Sequence, residues 1–332
     1  MSKKSKLPAL KKLYLYSLDK IYILNILLIP LSIIYLFINF IKKNFLINKK
    51  NNTIPVIVIG NLTVGGTGKT SLVIWLCNYL SDRKYNIGVI SGGYKTINES
   101  KLKIVESHSN PGEVGDEAIL IHKKTNSVVC KCKNRKKAYE YLVDNYNLDI
   151  IIPDDGLIHY KLNRNLNIVI VKEDKPFGNG LILPAGPLRE LPSSLSNYEI
   201  TMFNKSEKSD LPGFFYDISE IVSLSDSTIL PISDITGTTI HLVTAIANPY
   251  LLISNLKKLN IDVITHIYPD HQLFTADDFK FNDDYIVLMT EKDFVKCQNF
   301  NLKNSYYLPT KIVVDNDIKI MLNNKISELL KV

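Results

Sequence analysis

A cluster of glycines interrupts an apolar run near residue 60, in the stretch VIVIGNLTVGGTGKTSLVIWL. The residues before the cluster, Pro55–Ile59, predict a buried strand, and those after it, about Lys69–Ser81, predict a helix. Glycine lets backbone N–H groups turn inward around an anion, and a helix N-terminus adds a positive partial charge. A strand, a glycine-rich turn ending in Gly68-Lys69-Thr70 and a helix are therefore the layout of a phosphate-binding P-loop.

In such a loop Lys69 reaches the β- and γ-phosphates of a nucleoside triphosphate, and the Thr70 hydroxyl binds Mg²⁺. The common spacing has a glycine where this chain has Thr63, so the loop is a variant in which Gly65 and Gly66 supply the flexibility. The alternative is a glycine-rich turn used only for packing. The predicted nucleotide-binding residues are Thr63, Val64, Gly65, Gly66, Thr67, Gly68, Lys69 and Thr70.

Two aspartates, Asp154 and Asp155, follow a second apolar strand, Leu148–Pro153, in the stretch LDIIIPDDG. A P-loop needs a carboxylate at the end of a neighbouring strand to organise its Mg²⁺. An aspartate pair after a strand is otherwise often only a turn. Together with the glycine loop, the pair predicts a site for a nucleoside triphosphate and Mg²⁺.

Short apolar strands alternate with helices along much of the chain, which predicts an α/β fold with a mostly parallel sheet of the P-loop NTPase type. The alternation restarts near Ile240 and predicts a second, smaller α/β lobe. We expect three segments: a membrane anchor and linker over 1–50, a P-loop core over 51–236 and the smaller lobe over 237–332.

The positive charge of the chain is confined to its N-terminal segment. Ten lysines and one acid give residues 1–50 a charge of +9, whereas the whole chain carries +7, so the remaining 282 residues carry about −2. This distribution argues against a nucleic-acid partner. The four cysteines form neither a CxxC pair nor a zinc spacing, which predicts reduced thiols in a cytosolic compartment.

Residues 21–41, IYILNILLIPLSIIYLFINFI, contain no charge and are long enough to cross a bilayer as a helix. Asn25, Ser32 and Asn39 dilute the apolar character. The segment lacks a small-residue cleavage site, which argues against a signal peptide. It fits either a single span or an anchor in the membrane interface, with lysines near anionic head groups. A buried core helix is the other alternative.

Seven strings occur in the order that is typical of one family, the tetraacyldisaccharide 4'-kinases, which phosphorylate the lipid A precursor of Gram-negative bacteria. They are IGNLTVGGTGKT, NPGEVGDEAIL, DDGLIHYKL, FGNGLILPAGPLREL, AIANP, YPDHQLFTADD and MTEKDFVKC. The chain resembles this family over nearly its whole length, including the N-terminal anchor. The resemblance implies transfer of the γ-phosphate of ATP to the 4'-hydroxyl of an acylated diglucosamine 1-phosphate.

The same resemblance implies a lipid substrate, a membrane surface as partner, ATP and Mg²⁺ as cofactors, and a site on the cytoplasmic side of the inner membrane. The sequence does not indicate an oligomeric state. A membrane-recruited P-loop switch ATPase that acts on a protein is the rival function. Such ATPases usually attach by a C-terminal amphipathic helix and have a second lysine early in the loop, where this chain has Thr63.

Roles follow from the resemblance, position by position. Asp116 corresponds to the catalytic base and His271 to its partner, with Lys69 as the phosphate lysine. The metal ligands implied are Thr70, Asp154, Asp155 and Glu190, and the substrate-binding residues implied are Glu117 and Arg189. The basic stretch Lys131–Lys137 adds Arg135, or one of its lysines, as a contact for the anionic head group of the substrate.

Each of these residues also has a simpler explanation. Asp116 alone would usually cap a helix, His271 would usually lie in a surface loop, and Arg135 would belong to a solvated helix face. Three positions depart from the family pattern: Ser71 replaces a proline, Gly92 an arginine and Ile158 a glutamine. The change at Gly92 puts a charged contact near the nucleotide or substrate in doubt.

Overall fold

The computed structural model describes residues 17–45, 52–93, 96–157, 161–247, 249–270 and 272–330. The chain divides into two compact units. The smaller unit comprises residues 216–311, and the larger unit comprises the described residues on either side of it, 17–215 and 312–330. The segment boundaries expected from the sequence, at 50 and 236, stay a prediction.

The described strands alternate with helices along most of the chain. In chain order the strands are β1 (Ile57–Asn61), β2 (Ile87–Ser91), β3 (Lys103–Ile104), β4 (Val128–Lys131), β5 (Ile150–Pro153), β6 (Leu166–Lys172), β7 (Ile200–Asn204), β8 (Gly213–Tyr216), β9 (Glu220–Ser223), β10 (Ile229–Pro231), β11 (Thr239–Thr244), β12 (Asp262–Ile267), β13 (Ile286–Thr290), β14 (Ser305–Leu308) and β15 (Ile312–Val314). The α-helices are α1 (Ile23–Phe45), α2 (Lys69–Ser81), α3 (Pro111–Val114), α4 (Asp116–Lys124), α5 (Arg135–Asn145), α6 (Tyr250–Lys258), α7 (Glu291–Phe294) and α8 (Asn316–Leu330).

The larger unit contains two sheets, with strand orders β1–β6–β7–β8–β15 and β3–β4–β2–β5. Parallel bridges from Val56 to Ile151 and from Ile59 to Asp154 connect the two sheets between β1 and β5. The pairs β1–β6, β6–β7, β2–β4 and β2–β5 are all parallel, whereas β3 is antiparallel to β4. All five residues of β1 are buried, as expected of a central strand covered on both faces. The predicted mostly parallel α/β fold is confirmed.

The adjacency of β1 and β5 decides where the site lies. The glycine-rich loop follows β1, and the aspartate pair follows β5. Because the two strands run parallel, their carboxyl ends meet at one edge of the sheet, which is where open α/β sheets bind ligands. The loop and the carboxylates are thereby placed next to each other.

The smaller unit is a second α/β structure with the strand order β10–β9–β14–β13–β11–β12. Its strands β12, β11, β13 and β14 are parallel, and β9 and β10 add an antiparallel edge. The carboxylate of Asp293, which is fully buried, accepts hydrogen bonds from the hydroxyls of Thr244 and Thr290 and from the ammonium group of Lys296, each at 2.8 Å. This network joins β11 to the turn after β13. The predicted second α/β lobe is confirmed.

Helix α1 packs against the rest of the larger unit and leaves most of its apolar side chains exposed. Ile23 is 78% exposed and Leu27 is 71% exposed, whereas Asn25 and Ser32 are buried. The helix is long and apolar enough to cross a membrane by length and composition alone. The alternative of a buried core helix is therefore wrong, because the apolar side chains point away from the core.

Candidate active site

The backbone of the glycine-rich loop adopts the conformation that a phosphate cradle requires. Gly65 and Gly68 have positive φ angles of 110° and 93°, which side chains rarely tolerate. Gly68 directly precedes the first residue of α2, and its carbonyl accepts the N–H of Leu72. A Cβ atom at Gly65 would meet no atom within 4 Å, so this side of the loop is open. The loop therefore presents its backbone at an accessible helix N-terminus.

Two asparagines, at the ends of β1 and β7, hold this loop from either side of β6. The side-chain amide of Asn204, at the end of β7, donates to the carbonyl of Thr67 at 3.1 Å. Asn61, at the end of β1, accepts a hydrogen bond from the Lys69 ammonium at 3.1 Å and donates to the carbonyl of Thr63. The sequence interpretation missed both asparagines. For Asn61 a signal was present, because the residue lies between the apolar strand and the glycine loop.

Asp154 is a buried carboxylate that the hydroxyl of Thr70 contacts. Thr70 Oγ1 donates to Asp154 Oδ2 at 3.3 Å, while Asp154 Oδ1 is buried and has no hydrogen-bond partner. Burial first and the nearby negative charge of Glu117 second raise the pKa of Asp154 to about 7. A buried carboxylate with an unused oxygen beside a hydroxyl fits a magnesium ion, since Mg²⁺ prefers hard oxygen ligands.

Asp155 lies between two cations and behaves in the opposite way. Arg189 Nη1 contacts both of its oxygens, at 2.9 and 3.2 Å, and Lys69 Nζ lies 3.8 Å from Oδ2. Burial alone would raise the pKa of Asp155, but the positive charges of Lys69 and Arg189 outweigh it and hold this pKa below its usual value. Asp155 has a left-handed backbone with φ 54°. It therefore stays ionised and orients the phosphate lysine and the arginine.

Arg135 is buried rather than solvated, although its neighbours in the sequence are exposed lysines. Its guanidinium donates to the carbonyl of Cys132 at 2.8 Å and to that of Asp154 at 3.1 Å, and its Nε has no hydrogen-bond partner. A Cβ atom at Gly92 would lie 2.8 Å from Arg135 Nη2. The glycine at this departure from the family pattern thus leaves room for the guanidinium, which braces the end of β5.

Asp116 and Glu117 form the first turn of α4. Asp116 is buried and follows Gly115, whose φ is 93°. Its carboxylate accepts the N–H of Glu117 at 3.0 Å. The capping position of the helix is Gly115, so Asp116 is the first helical residue and not the cap. Glu117 lies close enough to Asp154 to raise the pKa of that carboxyl.

The remaining predicted residues are placed as follows. Glu190 adjoins Arg189 in the loop after β6, and one of its oxygens accepts the hydroxyl of Tyr198 at 2.7 Å. His271 lies outside the described residues, as does Ile158. The structure therefore gathers Lys69, Thr70, Asp154, Asp155, Arg189 and Arg135 at one sheet edge, with Glu117 nearby.

The chain matches known proteins over nearly its whole length. A family model described as tetraacyldisaccharide-1-P 4'-kinase covers residues 24–327. A tetraacyldisaccharide 4'-kinase from Hahella chejuensis is 36% identical over 314 residues, which are 91% of this chain and 93% of that relative. A protein of the same name from Pseudoalteromonas translucida is also 36% identical over 314 residues, covering 93% of this chain and 94% of the relative.

The fold is also similar to a solved structure, a crystal structure of the "apo" form of LpxK from Aquifex aeolicus in complex with ATP. The TM-score is 0.73 at 26% sequence identity, and the match covers 91% of this chain and 99% of the other. The span of the family model, residues 24–327, includes α1 from its second residue, the P-loop with its carboxylates, and the smaller unit. The resemblance drawn from the seven sequence strings is thus confirmed, and the chain belongs to the tetraacyldisaccharide-1-P 4'-kinase family.

Proposed function

We propose that this protein transfers the γ-phosphate of ATP to the 4'-hydroxyl of an acylated diglucosamine 1-phosphate. The observation that carries the proposal is the meeting of Lys69, Thr70 and the two aspartates at the carboxyl ends of β1 and β5, in a chain of this family. Its relatives are named for this reaction. The rival function, a switch ATPase, is not favoured by these comparisons.

Nucleotide binding uses the loop from Thr63 to Thr70. Its N–H groups and the start of α2 receive the phosphates, and Lys69, now held by Asn61 and Asp155, moves its ammonium to the β- and γ-phosphates. Thr70 and Asp154 are the proposed magnesium ligands, with Asp155 and Glu190 as further candidates. The ion, when bound, offsets the negative charge that builds up on the phosphates during transfer.

The protein's own side chains then prepare the acceptor. In the proposed reaction Asp116 accepts the proton of the 4'-hydroxyl, because a carboxylate suffices as base for a loose phosphoryl-transfer transition state. His271 is the proposed catalytic partner of Asp116, as the family resemblance implies. Arg189, which Asp155 holds in place, offers its remaining guanidinium N–H groups to the anionic substrate. Glu117 and Arg135 complete the proposed substrate-binding set.

Membrane attachment is the final part of the proposal. The exposed apolar face of α1 suits lipid, and the N-terminal lysines suit anionic head groups. A lipid acceptor stays in the bilayer, so an enzyme that phosphorylates it has to meet it there. We place the protein at the inner membrane with its active site facing the cytoplasm, where ATP is available, and propose no nucleic-acid partner.

The test is transfer of labelled γ-phosphate from ATP to a tetraacyl-diglucosamine 1-phosphate in detergent micelles. We expect label in the lipid with the wild-type protein and with Lys136→Ala, which changes an exposed lysine on α5, and a loss of at least 10²-fold with Lys69→Ala. A wild-type protein that hydrolyses ATP without labelling the lipid would refute the proposed acceptor. Equal transfer by Lys69→Ala would refute the assigned phosphate site.

A further inference from the structure

Polar residues occupy the protein-facing stripe of α1, which reverses the arrangement of an ordinary surface helix. Asn25 and Ser32 are seven residues apart, two helical turns, and both are buried. The half-buried Leu28 and Tyr35 lie on the same stripe, while the outward side chains are large and apolar. The two buried polar side chains on this stripe suggest that hydrogen bonds, and not apolar packing alone, fix the rotation and position of α1 against the protein.

Each polar group contacts one short loop of the larger unit, residues 178–189, here called the anchor loop. The Asn25 side-chain amide donates to the carbonyl of Ala185 at 2.7 Å and to that of Ser17 at 3.1 Å, and its oxygen accepts the N–H of Tyr22 at 2.7 Å. The Ser32 hydroxyl donates to the carbonyl of Ile182 at 2.8 Å and accepts the N–H of Ala185 at 3.2 Å. The Ala185 carbonyl also accepts the side-chain amide of Asn179 at 3.0 Å, and the Ile182 carbonyl also accepts the N–H of Gly186 at 2.9 Å. Asn25 and Ser32 therefore add second donors to these carbonyls, and the Ser32 oxygen is the acceptor for the buried N–H of Ala185.

The other end of the anchor loop is bonded to the nucleotide site. Leu188 forms an antiparallel bridge with Thr63, and the N–H of Val64 donates to the carbonyl of Pro187 at 2.8 Å. The N–H of Arg189 donates to the carbonyl of Leu62 at 2.6 Å, and its guanidinium grips Asp155. Only three residues separate Ala185, which contacts α1, from Arg189.

The loop itself is tight enough to transmit position from one end to the other. The N–H of Gly186 donates to the carbonyl of Ile182, and the N–H of Leu188 donates to that of Leu181. A Cβ atom at Gly186 would collide with Asn179 Oδ1 at 2.1 Å and with the backbone of Leu181 at 2.2 Å. Internal hydrogen bonds close the loop, and its packing at Gly186 leaves no room for a methyl group. We therefore expect a displacement at Ala185 to be passed on to Leu188 and Arg189.

We propose that Asn25 and Ser32 are positioning residues of the kinase site: by fixing the anchor loop against α1, they place Arg189 on Asp155 and set the start of the P-loop. Helix α1 then supports the loop that carries Arg189, in addition to its role as an anchor. This inference rests on the proposed function for its catalytic consequence, whereas its structural part concerns the anchor loop alone.

The physical basis is the cost of leaving buried backbone groups without partners. Loss of the Ser32 hydroxyl leaves the buried N–H of Ala185 without its acceptor, which weakens the fold locally. An apolar residue at position 25 removes one of the two side-chain amides that donate to the Ala185 carbonyl and leaves that of Asn179, at 3.0 Å. The lipid-facing side chains cannot replace these hydrogen bonds, because apolar contacts with lipid are not directional and do not fix the rotation of the helix. Loss of either polar side chain should therefore loosen the anchor loop without releasing α1 from the membrane.

The experiment compares full-length Asn25→Leu and Ser32→Ala with Ile33→Ala, which truncates a neighbouring side chain that is 63% exposed. Ser32→Thr serves as the conservative rescue because it keeps the hydroxyl. Three quantities are measured: binding to vesicles of anionic phospholipid, kcat and KM for phosphoryl transfer in micelles, and amide hydrogen exchange of Leu188 and Arg189.

We expect Asn25→Leu and Ser32→Ala to lower kcat about 10-fold or more, with the KM for the lipid and vesicle binding each within about twofold of wild type. Amide exchange of Leu188 and Arg189 should be at least 10-fold faster. Ile33→Ala and Ser32→Thr should resemble wild type in all three measurements. Ser32→Ala removes one atom, so it remains informative even when Asn25→Leu fails to fold.

Wild-type exchange in the anchor loop of both variants would overturn the inference. So would a loss of activity that merely follows a loss of vesicle binding or a rise in the KM for the lipid, because the helix would then act only as an anchor. A wild-type protein without transfer activity would refute the proposed function instead, and the exchange rates would still decide whether Asn25 and Ser32 position the loop.

Discussion

Replacing the buried carboxylate Asp154 by asparagine should make the metal-free protein more stable. The pKa of Asp154 is raised from 3.8 to about 7 by burial first and by the charge of Glu117 second. A pKa unit corresponds to about 1.4 kcal/mol, so three units mean that the ionised carboxylate costs the folded state on the order of 4 kcal/mol above pH 7. The amide of Asp154→Asn keeps an acceptor for the Thr70 hydroxyl without carrying the charge.

The pH dependence of this effect has a definite sign. Because the pKa of Asp154 is higher in the folded chain than in the unfolded chain, the folded chain binds more protons between about pH 4 and pH 7. The free energy of unfolding therefore falls as the pH rises through that window and levels off above it. Asp154→Asn does not titrate there, so its advantage should grow from near zero at about pH 4 to the full value at about pH 8.

Urea unfolding in detergent with EDTA measures this difference, followed by the fluorescence of Trp75. This is the single tryptophan of the chain, and it stacks on Tyr79 in α2, so it reports on the unit that carries the site. Asp155→Asn is the matched control and should destabilise the protein at pH 8, because Lys69 and Arg189 lower the pKa of Asp155. An Asp154→Asn protein no more stable than wild type at pH 8, or a difference that does not change with pH, would refute the reasoning that makes Asp154 a metal ligand.

Three further outcomes are expected. Asp116→Ala and His271→Ala should each lower kcat about 10²-fold or more while nucleotide binding, measured by calorimetry, persists; wild-type turnover in either variant would remove that residue from the mechanism. Arg189→Lys should not restore what Arg189→Met loses in kcat/KM, since Nη1 of the arginine holds Asp155 while its other nitrogens stay available to the substrate, whereas a lysine has one nitrogen for both tasks; full activity of the lysine variant would show that charge alone suffices. Asp293→Ala should destabilise the smaller unit by about 3–5 kcal/mol, because it removes the buried carboxylate that pairs with the buried Lys296; unchanged amide exchange in β11 and β13 would contradict this.

The parts of the site that could be predicted from the sequence are those in which the backbone pattern and the chemistry coincide. The helix expected over Lys69–Ser81 has the same bounds in the structure, because Gly68 gives it an unambiguous start. Asp154 and Asp155 were recognised because they end an apolar strand. Their opposite pKa shifts could not be predicted, since these depend on Lys69, Arg189 and Glu117, which are distant in the sequence.

The hydrogen bonds made by several polar side chains could not be predicted from the sequence. Asn204 reaches the P-loop from β7, and no local pattern indicates which loop a residue 137 positions away will contact. Asn25 and Ser32 were interpreted only as polar residues that dilute an apolar segment, although their side chains form hydrogen bonds between α1 and the anchor loop. Arg135 looked solvated because lysines surround it in the sequence, yet the start of α5 turns it inward.

The insertion of the smaller unit imposes an order on synthesis. Residues 216–311 leave and rejoin the larger unit side by side, as the N–H of Asp217 donates to the carbonyl of Lys311 at 3.0 Å. β15 and α8, which finish the larger unit, emerge from the ribosome only afterwards, about 5–20 s later at ordinary elongation rates. The 2.9 Å hydrogen bond between Tyr79 of α2 and Asn323 of α8 cannot form until then. The P-loop helix of the nascent chain therefore lacks this contact with α8 throughout the synthesis of the inserted unit.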